Sequence, residues 1–345
     1  MTIRIAVSAG PGGDALMFVQ EAERLGVHSV WTAEAWGTDA LTPLAFFAAK
    51  TSSIKLGSGI VQVGARTPAM TAMSAMSMEY LSGGRFLLGL GTSGPQVMEG
   101  WHGVPFRSPI QRTRETIEIV RMVSSGEKLA YAGKIYTLPL PDGPGRSIRS
   151  AAPPVHIPIY IAALGPANLR LTGELADGWV GTSFMPESAG VFLDELRAGA
   201  ESAGRSLHDL DLQVPASVEF TDDVDEAAKR HARGYGFTFG AMGSREQNFY
   251  LNAFARQGYQ EVAREVQRLW RDGEREQARD LVPTEIGMKT NLLGTDETIA
   301  ERLRAYRDAG ITTIRAGIPG ETLDQRLATL GRLMDVVNEV NAAKI

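Results

Sequence analysis

Along most of this 345-residue chain, short β-branched apolar runs alternate with longer stretches whose apolar residues recur every three or four positions. Residues 3–9 form the first short run. Residues 14–25 follow with helical spacing, Leu16, Val19, Ala22 and Leu25 sharing one face before Gly26. Further strands are predicted at 29–35, 54–63, 85–93, 158–164, 178–184, 212–220 and 312–318, with helices at 41–50 and 67–81 between the early ones. One device recurs where a helix returns to a strand, a glycine followed by apolar residues: Gly26-Val27, Gly84-Arg85-Phe86, Gly178-Trp179 and Gly310-Ile311. Glycine tolerates the left-handed conformation that ends a helix, so a short turn suffices.

Eight strands alternating with helices imply parallel βαβ units. The expected fold is therefore α/β, a (β/α)8 TIM barrel with insertions, as a single domain over 1–345. A doubly wound open sheet is the alternative. Two stretches exceed what a barrel needs. One covers 128–154, read as a hairpin around Ala132-Gly133 and then a Pro/Gly/Arg loop; the other covers 222–295, with charged helices that include 261–279. Structureless excursions of that length are rare, so the second is expected to be a helical lid or subdomain.

Composition narrows the function classes. A net charge of −5 gives no electrostatic footprint for nucleic acid or an anionic membrane. No apolar run nears the ~18 residues of a membrane span. The first residues read as a strand rather than a signal peptide, which makes a cytoplasmic location the expectation. Cysteine is absent, which removes disulfides, thiolate metal sites and a cysteine nucleophile together. The five histidines, at 28, 102, 156, 208 and 231, are scattered, so no metal site is expected. GxSxG, P-loop and SxxK motifs are also missing.

Four segments carry candidate chemistry. Gly89-Leu90-Gly91-Thr92-Ser93-Gly94 matches GxGxxG, yet Pro95 follows and the next helix is expected only near Pro109. A dinucleotide site needs the helix at once, so a glycine-lined strand end facing a flat ligand is the favoured reading. Ile161 to Asn168 (IAALGPAN) puts Gly-Pro at the start of a helix, where free amides suit a phosphate; a plain βα turn is the alternative. Thr182-Ser183 would add hydroxyls from the next strand. Glu34 and Trp36 stand after the second strand, where barrel enzymes place their chemistry. Glu34 is a candidate catalytic carboxylate, or else a helix cap or structural ion pair; Trp36 is a ring wall or core. Trp101 and His102 lie in the long fourth loop. The series Met70, Met73, Met76 and Met78 is read as core with a possible dimer contact, and 264–279 as a solvated helix face.

At these residues the chain resembles the bacterial-luciferase-like superfamily of flavin and deazaflavin oxidoreductases, over nearly its whole length. The most specific tracts are LSGGRFLLGLGTSGPQ (81–96), PIYIAALGPANLRLTGELADGWVGTS (158–183) and SVWTAEAW (29–36). The middle tract is most similar to the branch using coenzyme F420, which includes F420-dependent glucose-6-phosphate dehydrogenase and methylenetetrahydromethanopterin reductase. The resemblance implies a commonly dimeric TIM barrel with its cofactor at the C-terminal strand ends. It implies phosphate binding by Ala162, Ala163, Leu164, Gly165 and Thr182, with Glu34 beside the ring. Gly59 and Ile60 would form a bulge, often cis, behind the ring, with Gln62 in the same cofactor site and Thr92 at the ring's other end. Where the sugar-phosphate dehydrogenases carry a histidine and a glutamate, this chain has Ala35 and Gly94.

The expected function is F420-dependent hydride transfer to or from a small organic substrate, most simply reduction of an activated C=C, C=N or C=O group. Arg107, Arg112, Arg146, Arg149 and Arg170 are candidates for the cofactor's polyanionic tail. An FMN-dependent monooxygenase and a catalytically silent flavin-binding barrel are the alternatives. The expected partners are a small-molecule substrate and a second copy of the chain.

Overall fold

Eight parallel strands close into a barrel in the computed structural model, which describes residues 2–242 and 248–343. They are β1 (Arg4–Ser8), β2 (Ser29–Thr32), β3 (Lys55–Ser58), β4 (Phe86–Gly91), β5 (Ile159–Ala162), β6 (Gly178–Val180), β7 (Asp211–Phe220) and β8 (Thr313–Gly317). Each pairs with its successor, and Arg4 opposite Thr313 closes the ring between β1 and β8. The open-sheet alternative is thereby excluded. Most strands are shorter than their apolar runs; the run 178–184, for example, pairs only over Gly178–Val180, although Phe184 stays buried in the main core. The run 54–63 is cut in two: β3 ends at Ser58, and Val61–Gln62 pairs separately with Leu90 and Gly91. A short extra strand, Leu292–Gly294, extends the sheet beside β7 and has no counterpart among the sequence-predicted strands.

The helices form in register with their signals. Pro68–Ser82 begins with Thr67, whose hydroxyl accepts from the Met70 amide at 3.2 Å, and ends on Gly83 at φ 65°. Such caps are worth about 1 kcal/mol. Apolar faces of helix and strand share the main core, in which Ile5, Val30, Leu56, Leu88, Ile161, Val214 and Ile314 are fully buried. Among the described residues, no helix is long and apolar enough to cross a membrane.

Inside the barrel, Ala6, Trp31, Leu87, Tyr160 and Val180 pack together. The N-terminal end is plugged by polar groups. Asp211 accepts from Arg4 at 2.6 Å, from Thr313 at 2.9 Å, from Thr312, and from the Tyr160 hydroxyl at 2.9 Å. Burial beside that carboxylate pushes the Tyr160 phenol up.

Both insertions are present. The first carries a hairpin of Tyr131–Ala132 with Thr137–Leu138. The second, in which 243–247 lie outside the described residues, folds as helices with their own core of Phe239, Leu251, Phe254, Val266 and Ile286. Its 264–279 tract is not one solvated face. It is two helices, Gln260–Arg271 and Arg275–Asp280, parted at Gly273, and Ala263, Val266 and Ala278 are buried.

Candidate functional site

The C-terminal strand ends bring most of the sequence-predicted residues to one mouth. The Gly59–Ile60 peptide between β3 and its continuation is cis. Its neighbours explain the glycines of β3 and β4. A Cβ on Gly57 would lie 2.4 Å from the Trp31 ring, one on Gly89 1.8 Å from the Ser58 carbonyl oxygen, and one on Gly91 2.9 Å from Ile60. The glycine-rich strand end is therefore filled by the protein's own backbone and side chains, rather than kept small for a ligand alone. A four-residue helix, Pro95–Met98, does open directly after Gly94, earlier than the expected start near Pro109.

Glu34 lies just past β2 and its carboxylate is fully engaged. Oε1 accepts from Arg66 at 2.5 Å and from the Gln62 amide at 3.1 Å; Oε2 accepts from Arg66 at 3.0 Å and from the Ala40 amide at 3.3 Å. This is the structural ion pair that the sequence left open. Gln62 is buried and donates its side-chain amide to the Ala35 carbonyl at 3.1 Å, which leaves its Oε1 to accept from His102 Nε2 at 2.6 Å. Since Oε1 can only accept, His102 carries its hydrogen on Nε2 in this contact. One network thus ties together the loops after β2, β3 and β4. Trp36 and Trp101 are 65% and 64% exposed, so Trp36 is not core. Thr92 is half-buried, its hydroxyl donating to the Ser93 carbonyl at 3.2 Å.

On the opposite side, β5 ends at Ala162, and Ala163, Leu164 and Gly165 lead into the helix Pro166–Leu175. Gly165 caps it without a side chain, and the Asn168 and Leu169 amides are both spent on the Gly165 carbonyl. Thr182 and Ser183 follow β6 beside it. Ser183 is buried at φ 56° with its Oγ unpartnered. The segment Ala255–Tyr259 of the insertion closes this corner. Arg256 donates to the Leu164 carbonyl while its buried Nε has no partner, and Gln257 donates to the Ser183 carbonyl at 2.7 Å. Leaving a buried donor unpaired costs about 1–3 kcal/mol. Two such groups beside a helix start fit a phosphate that they would bind. Sequence reasoning missed Arg256 and Gln257, because nothing in a charged helical tract distinguishes them.

Of the basic candidates, Arg170 pairs with Glu195 and Arg112 donates to the Tyr136 hydroxyl at 3.0 Å. Closed barrel and mouth together define a class, the (β/α)8 barrel proteins whose sites lie at the C-terminal strand ends. The chain belongs to the luciferase-like monooxygenase family, whose sequence model matches residues 3–313, and it is an oxidoreductase. A Mycobacterium tuberculosis protein named as a coenzyme F420-dependent oxidoreductase is 38% identical over 303 residues, covering 85% of this chain and 87% of that one. The 5,10-methylenetetrahydromethanopterin reductase of Archaeoglobus fulgidus is 28% identical over 303 residues, covering 88% of each. Among solved structures, the coenzyme F420-dependent tetrahydromethanopterin reductase of Methanopyrus kandleri superposes with a TM-score of 0.78 at 22% identity. That match covers 96% of this chain and 98% of the other, and the two share the fold.

Proposed function

We propose that this protein binds coenzyme F420 and passes a hydride between the deazaflavin and a small organic substrate, in the direction that reduces an activated C=C, C=N or C=O group. The observation that carries the cofactor assignment is the corner of unpartnered buried donors, Ser183 Oγ and Arg256 Nε, set against the start of Pro166–Leu175. The 38% identity to a relative named for F420 supports that cofactor over FMN. When bound, the deazaflavin supplies an obligate hydride carrier.

The chain's residues bind, orient and exclude water. Leu164, Gly165, Thr182, Ser183 and Arg256 would hold the phosphate. Gly59, Ile60 and Thr92 would flank the ring, and the exposed Trp36 and Trp101 would be free to shield it from water. Glu34 is a positioning residue, since its carboxylate is occupied by Arg66 and two backbone amides. That occupancy, with Ala35 and Gly94 in place of a histidine and a glutamate, supports reduction over alcohol oxidation. Removing a hydroxyl proton as hydride departs needs a positioned base, typically worth about 10²–10⁴-fold. Adding hydride to a polarised acceptor needs orientation first, and the proton can follow from water. The protein works as a homodimer in the cytoplasm.

The test is titration of the apoprotein with F420 and with FMN, followed by anaerobic transfer of deuteride from labelled reduced F420 to an unsaturated or imine acceptor. Tight binding of F420 alone, deuterated product and no activity on glucose 6-phosphate are expected. Turnover that requires oxygen and reduced FMN, with labelled oxygen in the product, would overturn the reading.

A further inference from the structure

The barrel interior carries one charge that the phosphate corner and the Glu34 network do not use. Arg315 lies on β8, paired with Ala6 of β1 and Pro215 of β7. Its guanidinium crosses the barrel above Trp31. A Cβ on Gly59 of the distant β3 side would sit 2.9 Å from Arg315 Nη1 and 3.1 Å from Trp31 Cε3. Between β8 and β3 stand two whole strands, so that contact runs through the interior. Among the described residues, Arg315 makes no hydrogen bond and no ion pair. Desolvation alone, with no charged neighbour to oppose it, pulls its pKa down to about 10. Two other charges at the ends of the barrel are paired, Arg4 with Asp211 at the far end and Glu34 with Arg66 at the mouth.

A second unsatisfied group lies on the neighbouring strand. Gln213 lies on β7, opposite Thr313 and two residues short of the Arg315 level. It shares its face of the strand with Asp211, which accepts from the interior Tyr160 hydroxyl. Gln213 is 1% exposed, and neither its Oε1 nor its Nε2 has a partner. A buried amide left unpaired costs stability, and such a cost persists where function uses it.

We propose that Arg315, with Gln213 behind it, holds the negative charge that the hydride acceptor gains at the barrel mouth; this rests on the hydride-transfer reading above. A hydride is one hydrogen nucleus with two electrons. The donor's C–H bond breaks, the acceptor's forms with both electrons, and the acceptor holds one extra negative charge until water delivers a proton. Arg315 is half-buried beside the mouth, and a cation already placed there stabilises the charge as it forms. The acceptor is the cofactor ring in one direction and the substrate in the other; the reduced ring, and the enolate left by hydride addition to an activated C=C, are planar groups carrying a delocalised negative charge.

Wild type, Arg315→Met and Arg315→Lys are compared, each checked as folded by circular dichroism and melting temperature. Dissociation constants are measured anaerobically for oxidised and for reduced F420, and for benzoate with the protein saturated in oxidised F420. The methionine variant is expected to melt no lower than wild type, because it loses only an unpaired charge. It is expected to raise the ratio of reduced to oxidised F420 dissociation constants by at least about tenfold, equal to about 30 mV for two electrons. Lysine is expected to restore part of that ratio. An unchanged ratio with benzoate weakened about tenfold assigns the charge to the substrate and upholds the proposal. An unchanged ratio and unchanged benzoate affinity in folded Arg315→Met overturn it, leaving F420 binding itself intact. If Arg315→Met does not fold, Arg315→Lys and Arg315→Gln decide by the same two measurements. A wild type that binds neither form of F420 removes the hydride-transfer reading and this assignment with it.

Discussion

His28 is a residue whose environment sets a measurable pH dependence. It sits at the N-terminal end of the barrel, its amide donating to the Ile5 carbonyl at 2.8 Å. Burial, then the nearby Arg4, push its pKa from 6.5 down to about 4, against a smaller opposing pull from Asp211. A depressed folded value means that the unfolded chain takes up the proton first as pH falls. Stability from neutral His28 is therefore complete above about pH 6.5 and drains away towards pH 4. Between pH 7 and pH 5 the loss is about 1–2 kcal/mol, allowing for the ring's partial exposure. Urea denaturation of wild type and His28→Gln at both pH values checks this. The variant is expected to lose less stability on acidification by that amount, and parallel curves would show that His28 does not titrate between the two states.

At the scale of elements, the corner proposed to bind phosphate is an assembly of three segments far apart in sequence. The start of Pro166–Leu175 offers backbone, the end of β6 offers Thr182 and Ser183, and Ala255–Tyr259 offers Arg256 and Gln257. Hydrogen bonds to charged groups contribute about 1.5–3 kcal/mol, or roughly ten- to a hundredfold in affinity. Thr182→Ala and Arg256→Met are each expected to weaken F420 by that factor in a fluorescence titration while the melting temperature holds. Full affinity in Arg256→Met would return the insertion to a purely structural role. The corner also shows how much of the site was legible. The Gly165-Pro166 helix start and the Thr182-Ser183 hydroxyls were readable, because local chemistry marks them. Arg256 was not, since only packing of the insertion against Leu164 distinguishes it from the other arginines of that tract.

For the whole molecule, the methionine helix carries the prediction. Pro68–Ser82 buries Met76 and Met78 but leaves Met70, Met73 and Leu81 at 50%, 57% and 63% exposure. Exposed apolar residues clustered on one helix suit a self-complementary contact about a two-fold axis. Light scattering is expected to give twice the 37.2 kDa chain mass, and Met73→Glu with Leu81→Glu to halve it. A monomeric wild type at micromolar concentration would remove the dimer.

The alternation of strand and helix, the eight runs and the glycine joints at Gly26, Gly84 and Gly310 made a closed barrel the expected fold, because periodicity and turn chemistry are local properties of the chain. The joint read at Gly178 is not left-handed, and the pairing of Arg4 with Thr313 is what excluded the open sheet. The alternation also placed the mouth, since parallel strands all end at one face. Tertiary structure alone decided the state of the groups found there. Glu34 looked the same in sequence whether free or paired, and Arg66, thirty-two residues away, settled it. The run 54–63 kept strand character throughout, yet the packing of Trp31 and Ile60 against β3 and β4 accompanies its division at Gly59. Arg315 read as one residue of an apolar strand. Only the closure of the ring turned its side chain across the interior, where no carboxylate meets it. Charge and burial are sums over neighbours distant in sequence, so they exist only once the chain has folded.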